Sequence, residues 1–238
     1  KWISYLLLWP SCIMLALKQS LSLSNSNNPS GSAWSPTNES SVEAWYSKGV
    51  GITLNGSNVS QWNDSSGNGL DMVQATVGSQ PAYSSGVLTF DGVDDHLTTA
   101  GQISIAGDFV IGVVINPTSY SGAILADKTT GGEFIKLLNS TTTRIKIDSG
   151  TNTDLSLDSG TFGQAYMVYT RNSGTVSLWY NGVLQADTET LAGTADIDSI
   201  GIRYPSSSPF DGTIQEAQIF SSYSSDLVSN VNSYLAAL

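Results

Sequence analysis

From Val87 onward the chain is written in short apolar runs divided by glycine, asparagine, aspartate and serine. The runs are VLTF (87–90), DFVIGVVINP (108–117), GEFIKLLN (132–139), TRIKID (143–148), AYMVYTRN (165–172), TVSLWYNGVLQAD (175–187), SIGIRY (199–204) and TIQEAQIF (213–220). All are short and rich in valine, isoleucine, tyrosine and phenylalanine, which predicts strands. Within 165–170, Tyr166, Val168 and Thr170 fall on one face of a strand, and Ala165, Met167 and Tyr169 on the other. Asn181-Gly182 splits its run as a hairpin turn does, because a type I′ turn needs positive φ at both central positions. Only the end carries a helical period, with Leu227, Val231, Tyr234 or Leu235, and Leu238 on one stripe. Ser224 or Ser225 can cap it, and Asp226 sits in the first turn, where the helix dipole favours negative charge. Many strands with no alternating helices predict an all-β, two-sheet antiparallel sandwich of jelly-roll type with a short C-terminal helix.

Ahead of this domain the pattern changes. Lys1 is followed by an apolar run from Trp2 to Leu17, interrupted by Pro10. Segment 1–19 reads as a signal or anchor, as a fragment or translation artefact, or as a packing segment in an assembly. Any membrane contact is expected only through residues 2–17. Residues 20–40 are a polar Ser/Asn/Pro linker with little to bury, and the folded domain is expected over 41–238.

Composition narrows the partners. The chain has 9 basic and 20 acidic residues and a net charge of −11, which argues against nucleic acid, whose phosphates need clustered lysine and arginine. Charged residues make up 12%, so solubility rests on hydroxyl and amide side chains. The one cysteine, Cys12, excludes an internal disulfide.

Four stretches, in order, resemble one family. The stretch 42–83 carries a Trp-Tyr strand, WNDSSGNG and QPAY; LTFDGVDDHLTT, VSLWYNGVL and FDGTIQEAQIFSSYSSDLVSNVNSYLAAL follow. Together they resemble LamG-like, concanavalin A-like jelly-roll domains over 41–238. The resemblance implies a two-sheet sandwich. It also implies display outside a cell, on a bacterial surface, beside glycoside-processing enzymes or on phage virions. The partners it implies are glycans or fellow virion or surface subunits, and an exposed sheet edge offers a route to a homo-oligomer.

The candidate chemistry is sparse. In FDGVDDHL, Asp91, Asp94 and Asp95 adjoin the only histidine, His96. With Asn63 and Asp64 they offer part of an oxygen cage for calcium. The other reading is a turn whose carboxylates accept backbone N–H groups. His96 reads as an ordinary polar residue. Lectin-fold glucanases carry Glu-x-Asp-x-Glu along a strand, and none of Glu39, Glu43, Glu133, Glu189 and Glu216 sits in one, which argues against hydrolysis. Glu216 reads as a structural acceptor near the closing helix. Serine-nucleophile, zinc and phosphate-loop signatures are missing. Trp45, Trp62 and Trp179 are expected in the core. Tyr120, Tyr204, Phe210 and Tyr223 lie in polar loops and are the expected ligand-binding aromatics, with RYPSSSPF (203–210) as a candidate glycan or partner loop. The expectation is a non-catalytic, extracellular binding module, foremost on a virion surface, with a secreted or cell-surface carbohydrate-binding module as the alternative.

Overall fold

A computed structural model of the chain describes residues 33–129, 133–148, 152–203 and 206–238. The apolar run 2–17 and Tyr204 lie outside these residues. Trp34–Leu238 form one compact unit. Among the described residues no helix is long and apolar enough to cross a membrane.

Among the described residues, seventeen strands follow in chain order. They are β1 (Val42–Tyr46), β2 (Ile52–Asn55), β3 (Asn58–Trp62), β4 (Met72–Val73), β5 (Ala82–Ser84), β6 (Val87–Asp91), β7 (Leu97–Ile105), β8 (Phe109–Pro117), β9 (Ala123–Ala126), β10 (Phe134–Leu137), β11 (Thr142–Lys146), β12 (Thr153–Ser156), β13 (Ala165–Asn172), β14 (Thr175–Tyr180), β15 (Val183–Thr190), β16 (Ala195–Ile200) and β17 (Asp211–Phe220). One helix, α1 (Ser225–Leu235), follows them. The first sheet runs β1-β17-β8-β13-β14-β15, every pair antiparallel. The second runs β2-β3-β4-β7-β16-β9-β10-β11-β12. Strands β5 and β6 link β3 to the first half of β17, so the ladders continue from one sheet to the other. This is the expected jelly-roll sandwich, and the whole of it is antiparallel.

The alternation in β13 divides two cores. Met167 and Tyr169 enter the core between the sheets with Phe109, Ile111, Val113, Val176 and Leu178. Val168 enters a second cluster with Val110, Phe220, Leu227, Val231 and Leu235, under α1. That is why β8 reads as unbroken hydrophobic: α1 covers the face that water would otherwise wet. Gly112 in β8 lets α1 come close, since a Cβ there would lie 2.9 Å from both Val231 Cγ1 and Leu235 Cδ1. Ser224 caps α1, its side chain accepting from the Leu227 N–H at 3.0 Å. Trp34, ahead of the expected boundary at Ser41, packs tilted against Phe220 at 6.3 Å and edge-on against Tyr234 at 6.0 Å. In β17 the register shifts between Ile214 and Glu216, a bulge at Gln215. Ile214, Ala217 and Ile219 thereby all reach the inter-sheet core.

The hairpin forms at Asn181-Gly182, with φ of 48° and 78°. The run expected at 199–204 is displaced. Its strand is β16 (Ala195–Ile200), and it stops at Gly201, whose φ is 93°. Arg171 is the one buried cation of β13, only 2% exposed. Its guanidinium donates to the Gly193, Ile105 and Gly107 carbonyls and lies 5.0 Å from the Phe109 ring centroid.

Candidate functional site

The acidic corner after β6 brings together three of the five expected calcium ligands. One carboxylate oxygen from each of Asp91, Asp94 and Asp95 lies within 4.8 Å of the others. Each carboxylate also has a turn-forming partner. Asp91 Oδ1 accepts from the Val93 N–H at 2.8 Å and the Asp94 N–H at 3.3 Å. Asp94 Oδ2 accepts from the Ser79 hydroxyl at 2.8 Å, and Asp95 Oδ2 from the Asp91 N–H at 3.0 Å. Burial, with Asp91 nearby, pushes the Asp95 carboxyl up to about 6. Asn63 and Asp64 serve a different turn. Asp64 Oδ1 accepts from the Trp45 and Ser66 N–H groups at 3.0 and 2.8 Å, and Asn63 Oδ1 from the Gln61 amide at 2.9 Å. Asp64 is not part of the aspartate group. His96 Nδ1 donates to the Asp94 carbonyl at 2.7 Å, which leaves Nε2 to accept from the Gln74 amide at 2.9 Å. Burial pushes its pKa down, so it stays neutral near physiological pH.

The expected aromatics divide. Phe210 is not a ligand-facing residue: it is fully buried and meets Phe90 edge-on at 6.1 Å. A ring at a loop's end, next to β17, is drawn inward because burying it is worth about 2 kcal/mol. Tyr120 packs partly against the inter-sheet core, and its hydroxyl donates to the Phe162 carbonyl at 3.2 Å. Of the tryptophans, Trp62 is fully buried, but Trp45 and Trp179 are half-buried on the helix-side face rather than in the core. Glu216 lies under α1 and is fully buried. Its Oε1 accepts from the Trp45 indole at 2.5 Å and the Gln218 amide at 3.1 Å, and its Oε2 from the Lys48 N–H at 2.6 Å. Burial raises its pKa to about 7. Enclosed in this way it offers no open cleft for hydrolysis, and its role is that of a structural acceptor.

Tyr223 lies elsewhere, in a groove on the helix-side face. Two depressions of about 270 and 310 Å³ adjoin there, and Trp179 and Tyr223 line both. Alternation in β14 builds the floor. Val176, Leu178 and Tyr180 pack toward the inter-sheet core, which sends Thr175, Ser177 and Trp179 outward. Thr170 and Asn172 of β13 stand opposite Ser177 and Thr175, so hydroxyls and an amide form adjacent rungs. Leu184 of β15 borders this side, opposite Trp179. On the other side α1 supplies Ser225, Val228, Ser229, Asn232 and Ser233. No charged side chain lines either depression. The sequence signal for this face is the pattern Thr175-x-Ser177-x-Trp179, polar and aromatic where a one-sided strand carries polar residues alone.

A two-sheet antiparallel sandwich, here bearing two aromatic side chains among neutral hydrogen-bonding groups on one face, is the architecture of lectin/glucanase-like folds. The chain belongs to the concanavalin A-like lectin/glucanase superfamily, whose Laminin_G_3 family model matches residues 91–226. Among solved structures it is similar to a Trypanosoma rangeli sialidase, with a TM-score of 0.56, 14% identity and coverage of 84% of this chain and 33% of that one. It is also similar to domain 4 of an extracellular arabinanase from Geobacillus stearothermophilus, solved with arabinotriose, at a TM-score of 0.54, 16% identity and coverage of 82% and 98%. An arabinofuranosidase complexed with arabinofuranosyl-α-1,2-xylobiose matches at 0.51, 15% identity and coverage of 76% and 51%. These likenesses are of fold, and the chain spans a third of the length of the sialidase. No curated protein matches it in sequence.

Proposed function

We propose that the chain is a non-catalytic carbohydrate-binding module that works outside the cell. The observation that carries this reading is the lining of the Trp179–Tyr223 groove. Two aromatic rings can take the apolar face of a sugar, and Ser, Thr and Asn side chains can exchange hydrogen bonds with its hydroxyls. Neither side of the groove is lined by a carboxylate, so the pair that glycoside hydrolysis needs is missing from it. The arabinanase domain, whose full length this fold nearly covers and whose structure holds arabinotriose, supports the same reading. The setting we propose is a virion surface, with a secreted or cell-surface module as the alternative. Neighbouring capsid and tail genes would favour the first, and secretion and polysaccharide genes the second.

The test is a glycan array probed with the full chain and with Trp179→Ala at a temperature where both are folded. A stacked aromatic contributes on the order of 1–2 kcal/mol, so the variant is expected to bind about ten-fold more weakly, and loss of the half-buried ring from the cluster under α1 is expected to lower its unfolding temperature by a few degrees. Binding that survives Trp179→Ala at full strength would move the site off this face. Reducing-sugar release from any bound glycan would overturn the non-catalytic part.

A further inference from the structure

The groove has two lobes rather than one, and their division at Trp179 and Tyr223 bears on what it takes. We infer that it binds a neutral oligosaccharide of at least two units, one ring in each lobe, with Trp179 and Tyr223 shared by both lobes. This rests on the glycan-binding reading and specifies its ligand. Each lobe, at about 270 or 310 Å³, lies near the lower end of the roughly 300–1,000 Å³ range of small-ligand sites. A single sugar therefore has room in either lobe, and a longer chain runs past the shared Trp179 and Tyr223 into the other. Each lobe has its own hydrogen-bonding set. The strand-side lobe offers Thr175 and Ser177, and the helix-side lobe offers Ser229 and Ser233. A ligand confined to one lobe leaves the other set to water.

The charge of the ligand follows from the same lining. A uronate or sialate would bring a carboxylate to a surface with no lysine or arginine in either lobe, on a chain of net charge −11. It would lose hydration without gaining a counter-charge. Neutral hydroxyls meet no such penalty.

The experiment is calorimetric titration of the full chain with arabinose, xylose and glucose series of one to four units, and with oligogalacturonates of the same lengths. Affinity is expected to rise about ten-fold from one unit to two, which is 1.4 kcal/mol, and oligogalacturonates are expected to bind more weakly at every length. Ser177→Leu and Ser229→Leu each fill one lobe at a surface position. Each variant is expected to bind the tetramer no better than the monomer, with unchanged thermal unfolding. Monomers that bind as tightly as tetramers would overturn the two-lobe inference and leave the glycan-binding reading standing. A preference for oligogalacturonates would overturn the neutral class in the same way. No binding by any series, with Trp179→Ala instead changing the oligomeric state, would assign the groove to a second copy of the chain and overturn both.

Discussion

Replacing Glu216 with glutamine is expected to flatten the response of folding stability to pH. The wild-type carboxyl is buried under α1, with its pKa raised from 4.5 to about 7. The folded state therefore holds this proton more tightly than the unfolded chain does between those values. Its contribution is fully present below about pH 4.5 and is lost as the pH rises through 7, which is stability falling with rising pH. A shift of that size corresponds to about 3 kcal/mol across the window. The geometry accounts for the direction. Three donors reach the two oxygens, no cation's charged group is hydrogen-bonded to either, and the buried Gln218 Oε1 beside them has no partner. A protonated Glu216 supplies the hydrogen that a turned Gln218 amide could accept. Glutamine in this place titrates nothing. It also sets its amide hydrogens against either the Trp45 indole or the Lys48 N–H, so it is expected to lower stability by about 1–3 kcal/mol at every pH. The assay is urea unfolding of wild type and Glu216→Gln at half-unit steps from pH 4.5 to 8. Asp95 and Glu133, raised by burial to about 6 and about 7, leave a slope in both proteins. The difference between the two is the Glu216 component. Parallel profiles would refute the reasoning, because they would mean that Glu216 is ionised in the fold at no cost.

Two further perturbations test other parts of the fold. At Gly122 a Cβ would lie 2.4 Å from Phe210 Cα and 2.7 Å from the Pro209 oxygen, both backbone atoms, whereas at Gly107 it would meet nothing within 4 Å. Gly122→Ala is expected to cost about 3 kcal/mol or more, and Gly107→Ala about 0.5 kcal/mol or less, by thermal unfolding; equal costs would mean that the Phe210 loop yields freely. If Asp91, Asp94 and Asp95 serve the turn alone, the unfolding midpoint is expected to be the same in EDTA and in excess calcium. A rise in calcium would make the corner an ion site.

Periodicity made the second half of the sandwich legible. The 165–172 and 213–220 runs, the Asn181-Gly182 turn and the closing helix are local patterns, each fixed by neighbours a few residues away. The first half is harder to read: β2 and β3 lie in Ser- and Asn-rich sequence, and their pairing depends on partners such as β4 and β5. Phe210 shows the limit for single residues. Flanking serines and prolines describe a loop, but a distant partner, Phe90, decides that the ring turns inward. Trp179 is the converse, since a tryptophan in a strand reads as core until α1 is seen to leave part of that face open. The groove is the least legible feature of all. Its residues come from β13, β14, β15, the segment before α1 and α1 itself, and no spacing in the sequence announces that they meet.

The bulge at Gln215 makes β17 a strand with a phase change written into it. Before it Ile214 faces inward; after it Ala217 and Ile219 do, while Glu216 points to α1. A ladder that ran straight through Gln215, pairing it like any other residue, would keep a regular period of two along the whole strand. The second half of the strand would then present Glu216, Gln218 and Phe220 to the inter-sheet core and turn Ala217 and Ile219 toward the helix. In terms of reading frame, the bulge takes up one odd residue, and that is what keeps both halves of β17 in phase with the two cores. Deletion of Gln215 would close the bulge and leave Glu216 facing α1 and Ala217 and Ile219 facing the inter-sheet core, whereas a residue lost between Glu216 and Phe220 would turn the rest of the strand over.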